Sequence, residues 1–342
     1  MTTHLDPLTV EHGEIPLGVV ARPIGELDLA SWMATHRAEL DRTLLAHGAI
    51  LFRDVPMTVD AFGRIAHAHG LPHAYQLGTA PRASVAQDVF ESTRFDPRLK
   101  LPLHNEQSYL QTWPRKVWFY CQLAALHGGA TPLAETRKIT RRIPSAIKDL
   151  FRTRGVRYHR VYENGAVDAA IVQPVSAEGQ LPVAWQTAFG TTDRSEVACL
   201  CAALGVEFHW QRSGRLQTSN AISAFAHHPD TGEEFWFNQL HNLSFHAWGI
   251  DVFGPEAARE PVTDDALARL PRHVTFGDGS AIEPSLIADL GHIYRSEETT
   301  FEWRTGDLLV LDNVLIAHGR EPYRGPRRVL AALTGATRSD AP

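Results

Sequence analysis

Residues 101–110, Leu-Pro-Leu-His-Asn-Glu-Gln-Ser-Tyr-Leu, set an imidazole and a carboxylate two positions apart, at His104 and Glu106. On extended backbone, residues i and i+2 point to one face, so these two side chains can reach a single metal ion. Spacing alone does not select them. The chain holds four His-x-Asp/Glu pairs, His4/Asp6, His12/Glu14, His104/Glu106 and His228/Asp230, and its 18 histidines and 39 acids make chance pairs common. His4 and His12 fall near the N-terminus, where chain ends fray and ligands are poorly fixed. His228/Asp230 falls in His-His-Pro-Asp-Thr-Gly, which is turn chemistry. His104/Glu106 instead sits in an extended segment just before an apolar, aromatic-rich stretch at 116–126 that reads as a buried strand.

Two protein ligands hold an ion weakly, so a third is expected from a distant segment. His318 is the best candidate, because 308–335 reads as strand, turn near Asp312-Asn313, histidine and second strand in close order. Two histidines and one carboxylate on one face of an octahedral ion leave three positions open, the arrangement used by non-haem Fe(II) in oxygen chemistry. Nine and ten positions after His318 come Arg327 and Arg328, at the head of an apolar strand. Successive strand residues face opposite sides, so one arginine points inward and the other outward. The inward one needs an anion, and a carboxylate bound by both arms of the guanidinium is the natural partner.

The elements that must position these groups follow from periodicity. Residues 27–48, 58–70, 144–155, 193–205 and 284–297 read as helices, and 49–55 and 156–162 as strands. Beyond about residue 207 strands dominate. The pattern predicts an α+β, mainly β chain: a sandwich or barrel with helices packed outside. No repeat, linker or low-complexity tract divides it, so a single domain over 1–342 is expected. Its parts would be a helical N-terminal portion over about 1–75 and a core over about 76–335, with an insertion at about 140–220.

With 342 residues, 44% hydrophobic, the chain can bury a large core. A net charge of −6 gives no reason to expect nucleic acid or an acidic membrane as partner. The start, Met-Thr-Thr-His-Leu-Asp-Pro, lacks the basic and apolar character of a secretory signal. The nearly apolar run 197–206 is too short to span a bilayer. Cys121, Cys199 and Cys201 form no Cys-x-x-Cys motif and read as reduced thiols. A cytoplasmic location is therefore expected.

Taken in order, Leu-Pro-Leu-His-Asn-Glu-Gln-Ser-Tyr (101–109), residues 114–139, Trp-Phe-Asn-Gln (236–239), 275–282 and 303–333 resemble the taurine-dioxygenase-type family of Fe(II)/2-oxoglutarate-dependent oxygenases. Within it, the chain is most similar to clavaminate-synthase-like enzymes and to hydroxylases of nonribosomal peptide pathways. The resemblance covers most of 48–335. It implies a double-stranded β-helix (jelly-roll) core and iron held by His104, Glu106 and His318. It also implies O2 chemistry with 2-oxoglutarate as cosubstrate, Arg328 on the far carboxylate of 2-oxoglutarate, and Thr131 as a second cosubstrate contact. Arg327 stays open as the alternative, because the strand's phase is not readable from sequence.

The segment 236–246 matches the family's substrate-pocket lining, which makes Asn238 and His241 candidate substrate residues; Arg82 is a further one. The family's pattern places a substrate-binding arginine four positions after the 2-oxoglutarate arginine, where this chain has Ala332. That weighs against a sulfonate. Glu106 occupies the position that related halogenases leave to chloride, which weighs against halogenation. The implied activity is hydroxylation of an amino acid or related small acid, free or presented by a peptidyl carrier protein, with release of succinate and CO2. Desaturation, ring closure, sulfonate or aryloxy-acid catabolism, a zinc hydrolase and a non-catalytic jelly-roll binding protein are the rival readings.

Overall fold

The computed structural model describes residues 5–74, 84–92, 96–165, 183–244 and 272–338. Two mostly antiparallel sheets face each other. The larger has eight strands in the order Leu8–Glu11, Val19–Pro23, Ala49–Phe52, Leu308–Asp312, Thr112–Leu123, Arg328–Arg338, Val89–Glu91 and Ser84–Ala86. The smaller runs Thr299–Phe301, Thr131–Glu135, Ile316–Arg320 and Leu101–His104. Neighbours in these sheets come from distant parts of the chain, and the result is a jelly roll.

Strand alternation builds two cores on either side of the large sheet. Phe119, Cys121, Val329, Ala331 and Leu333 face the small sheet and pack with Leu133, Phe301, Trp303 and Ile316. Trp118, Tyr120, Leu330 and Ala332 face the other way, onto the apolar sides of helices Leu29–Thr35, Arg37–His47 and Val59–Ala68. The large sheet is therefore buried on both faces, which explains the continuous apolar run through Cys121; the strand expected over 116–126 ends at Leu123, and Leu123 and Leu126 are exposed. Its longest contact, Thr112–Leu123 against Arg328–Arg338, pairs Phe119 with Ala331 and Cys121 with Val329, with a register shift between Arg328 and Val329.

A third sheet, Glu207–Trp210, Leu216–Ile222, Val156–Tyr162 and Arg272–Phe276, packs beside the jelly roll. Its inner face carries Tyr158, Tyr162, Leu216 and Val274 into a core shared with Leu103, Tyr109 and Trp236.

Two expectations need correction. The N-terminal portion holds more strand than expected, because Leu8–Glu11 and Val19–Pro23 join the expected strand at Ala49–Phe52 to form one flank of the large sheet. The helix expected over 27–48 is two helices, Leu29–Thr35 and Arg37–His47. The break falls at His36, whose ring stacks on Trp32 at 4.7 Å while the Thr35 hydroxyl donates to the Trp32 carbonyl. A Thr side chain that bonds its own turn competes with helix continuation.

Candidate metal centre

His104 ends the strand Leu101–His104, and His318 lies in the middle of Ile316–Arg320; the two residues stand directly opposite each other in the antiparallel pair. Their ring centroids are 4.6 Å apart. Past His104 the chain turns, and Glu106 is buried with its Oε2 3.9 Å from His318 Nε2. One ligand atom from each of His104, Glu106 and His318 lies within 4.8 Å of the other two. This is a two-histidine, one-carboxylate set that suits Fe(II). The tautomer fits as well. His104 Nδ1 is 2.9 Å from the Pro102 carbonyl, which only accepts, so Nδ1 carries the proton and Nε2 keeps its lone pair for a metal.

Three amide side chains, Asn313, Asn105 and Gln107, hold the turn that carries Glu106, a role the sequence reading gave to none of them. Asn313 Oδ1 accepts from the Glu106 backbone N–H at 2.7 Å, and its Nδ2 donates to the Glu106 carbonyl at 2.9 Å and to the Pro114 carbonyl at 2.7 Å. Asn105 Nδ2 returns a hydrogen bond to the Asn313 carbonyl at 2.7 Å. Gln107 adopts a left-handed φ of 53°, rare for a residue with a side chain. Its amide is tied at both ends, accepting from His73 Nε2 at 3.1 Å and donating to the Ala74 carbonyl at 2.9 Å. The only sequence signal for Asn313 is its place in the turn before His318.

Thr131 lies in the strand beside His318 and is buried; His318 pairs with Leu133, two residues further on the same face. Its hydroxyl oxygen accepts from Trp303 Nε1 at 2.8 Å. The two arginines part as alternation requires. Arg328 is exposed. Arg327 turns inward: its Nε and Cδ crowd the open face of Gly129, two residues before Thr131. Burial lowers its pKa, and the Cys121 thiol and Tyr323 lie close enough to act on it. Its guanidinium carbon is 5.3 Å from the Tyr323 ring centroid, and among the described residues no carboxylate pairs with it. Arg320, two residues past His318, is also buried; burial brings it down to about 10, and its Nη2 donates to the Asp96 and Leu99 carbonyls, both at 2.6 Å.

The two residues expected to meet substrate, Asn238 and His241, are hydrogen-bonded to the protein backbone. Asn238 donates to the Ala224 carbonyl at 2.9 Å and accepts from the Leu240 N–H at 3.0 Å. His241 donates from Nε2 to the Leu103 carbonyl at 2.8 Å and stacks on Tyr294 at 3.6 Å, and burial depresses its pKa to about 3. It braces the strand that ends in His104. Arg82 lies outside the described residues. His228, from the rival pair, donates to Asp312 Oδ2 at 3.0 Å and is buried elsewhere.

Comparison with known proteins identifies the family. The family model described as taurine catabolism dioxygenase TauD, TfdA family matches residues 11–334. The dapdiamide synthesis protein DdaC of Enterobacter agglomerans is 32% identical over 296 residues, covering 86% of this chain and 84% of that protein. A clavaminate synthase-like protein of Arabidopsis thaliana is 29% identical over 326 residues, covering 93% and 90%. Among solved structures, AAD-2 in complex with Mn(II) and N-oxalylglycine matches with a TM-score of 0.56 at 13% identity, covering 99% of each chain. PvcB, described as an Fe, alpha-ketoglutarate dependent oxygenase from an isonitrile synthetic pathway, matches at 0.52 and 16% identity, covering 99% of this chain and 96% of its own. Both structural likenesses concern the fold.

Proposed function

Because this chain belongs to the TauD/TfdA family and is an Fe(II)/2-oxoglutarate-dependent dioxygenase, we propose that it hydroxylates an unactivated C–H bond of a small acid in specialised metabolism, an amino acid or a close relative. The observation that carries the reading is the convergence of His104, Glu106 and His318, together with a half-buried arginine, Arg327, that pairs with no carboxylate among the described residues.

When bound, Fe(II) supplies O2 activation coupled to decarboxylation of 2-oxoglutarate to succinate and CO2. His104, Glu106 and His318 would hold the ion from one side and leave the other side to small molecules. This reading gives the far carboxylate of 2-oxoglutarate to Arg327 rather than Arg328, because Arg327 is half-buried and turned inward, and a guanidinium with no carboxylate among the described residues gains most from one. Thr131 supports the same end. Its oxygen already accepts from Trp303, so its own proton is left to donate. With Glu106 in place, no open corner of the ligand set is reserved for halide.

The relation to the dapdiamide synthesis protein supports a role in specialised metabolism, with substrate taken free or from a peptidyl carrier protein. The alanines four positions after Arg327 and Arg328, Ala331 and Ala332, offer no cation to a sulfonate, which weighs against sulfonate catabolism. No helix among the described residues is long and apolar enough to cross a membrane. The test is mass spectrometry of free and carrier-loaded amino acids incubated with enzyme, Fe(II), 2-oxoglutarate and air. The expected result is gain of one oxygen with matching succinate. Succinate formation that no panel member stimulates, with no oxidised product, would overturn the proposal.

A further inference from the structure

The jelly roll offers no cation for a substrate anion at the expected place. Counted four positions from Arg327 or from Arg328, the strand carries Ala331 or Ala332, both fully buried. A different element supplies a charge. Arg160, in the strand Val156–Tyr162 of the third sheet, is only 2% exposed, and among the described residues it makes no ion pair. Its Nε has no hydrogen-bond partner, and Nη1 has one long contact, 3.4 Å to Asn220 Oδ1. Its guanidinium carbon lies 4.4 Å from the Tyr109 ring centroid and 5.8 Å from that of Tyr158. Two rings and one distant amide oxygen compensate a buried full charge poorly.

A hydrogen-bonded chain joins its neighbourhood to the turn that carries Glu106. Asn220 links it there, because Asn220 Nδ2 donates to the Tyr109 carbonyl at 2.8 Å, and Tyr109 closes the turn that begins at Glu106. Tyr158 continues the seam: its hydroxyl accepts from the Gln239 N–H at 2.8 Å, and Gln239 Nε2 donates to the Asn105 carbonyl at 2.8 Å. Arg160 therefore borders a hydrogen-bonded layer that ends on the turn carrying Glu106.

We propose that Arg160 binds the carboxylate of the primary substrate, so that the substrate class is a small free acid and the reacting carbon is set by its distance from that carboxylate. The inference rests on the oxygenase reading above and narrows it: an aminoacyl thioester on a carrier protein lacks the α-carboxylate that Arg160 would hold. Recognition by a desolvated guanidinium accounts for why the jelly-roll strand needs no arginine at 331 or 332.

The test compares wild type with Arg160→Met, Arg160→Lys and Asn220→Asp. Each is assayed for succinate formation with a panel of free L-amino acids and their primary amides, beside anaerobic titration with Fe(II) and 2-oxoglutarate. Free acids should stimulate wild type and their amides should not. Arg160→Met should raise the KM of responding acids ~100-fold, with part of the loss recovered in Arg160→Lys. Asn220→Asp should produce a similar loss by placing a protein carboxylate against Arg160. Binding of Fe(II) and 2-oxoglutarate should be unchanged in every variant. An amide that stimulates as well as its acid, an Arg160→Met enzyme with unchanged KM, or a panel with no responding acid would overturn the assignment. Failure of wild type to bind Fe(II) and 2-oxoglutarate would instead sink the oxygenase reading beneath it.

Discussion

Asn313 grips Glu106 by its backbone from both sides, accepting from its N–H at 2.7 Å and donating to its carbonyl at 2.9 Å, across 207 positions of sequence. The single amide makes the short turn after His104 rigid and ties it to the turn that leads into His318. A ligand set assembled from distant segments needs such a clamp, because carboxylate placement is otherwise left to a flexible turn.

Asn313→Ala should therefore weaken Fe(II) binding about 10–100-fold, as removal of a group that orients a metal ligand does. It should also destabilise the fold by about 1–3 kcal/mol, because the buried Glu106 N–H loses its acceptor. Metal titration and urea unfolding read the two effects separately. Unchanged metal affinity would show that Glu106 is placed without this clamp.

Arg327 and Arg328 are neighbours with opposite fates. Arg327→Ala should raise the 2-oxoglutarate KM ~100-fold or more while leaving Fe(II) binding largely intact, and Arg328→Ala should change it less than about twofold. The reverse result would place the cosubstrate on the outward face of the strand.

Replacing Thr131 by valine keeps its shape but strands the buried Trp303 N–H that now donates to it at 2.8 Å. The expected cost is about 1–3 kcal/mol of stability together with a weaker response to 2-oxoglutarate. Steady-state kinetics and thermal unfolding would check the pair. Loss of stability with no kinetic change would assign Thr131 to packing alone.

How much of this was legible in the sequence depended on how local each signal was. Strand and helix positions such as 156–162 and 284–297 follow local periodicity and came close to their observed bounds. His104 and Glu106 stood out only because three rival pairs sat in termini or a turn. The opposition of Arg327 and Arg328 was visible as parity, but its phase was not: a register shift between Arg328 and Val329 lies where alternation would be counted. Asn238 and His241 drew attention because 236–246 resembles the family's substrate-pocket segment, and their hydrogen bonds go to the protein backbone. Asn313 and Gln107 were missed because an amide's value here is set by partners far away in sequence.

Stability should also fall in mild acid. Burial, with help from Lys116, holds the His69 imidazole down at about 4. In the unfolded chain the same group takes a proton near its ordinary value of about 6.5. Between these values the unfolded state binds more protons, so stability is fully present above about 6.5 and falls as pH drops toward 4. The slope from this group is at most about 1.4 kcal/mol per pH unit. Urea midpoints measured across that window should be flatter with pH in His69→Phe than in wild type, and parallel profiles would contradict the assignment.

The central claim is tested most directly by anaerobic titration of the purified protein with Fe(II) and 2-oxoglutarate, followed by visible absorption. One equivalent of iron should give a charge-transfer band that requires 2-oxoglutarate, and His104→Ala, Glu106→Ala and His318→Ala should each abolish or severely weaken it. A wild-type protein that gives no such band, or three variants that retain it undiminished, would contradict the claim that these three side chains form the iron centre.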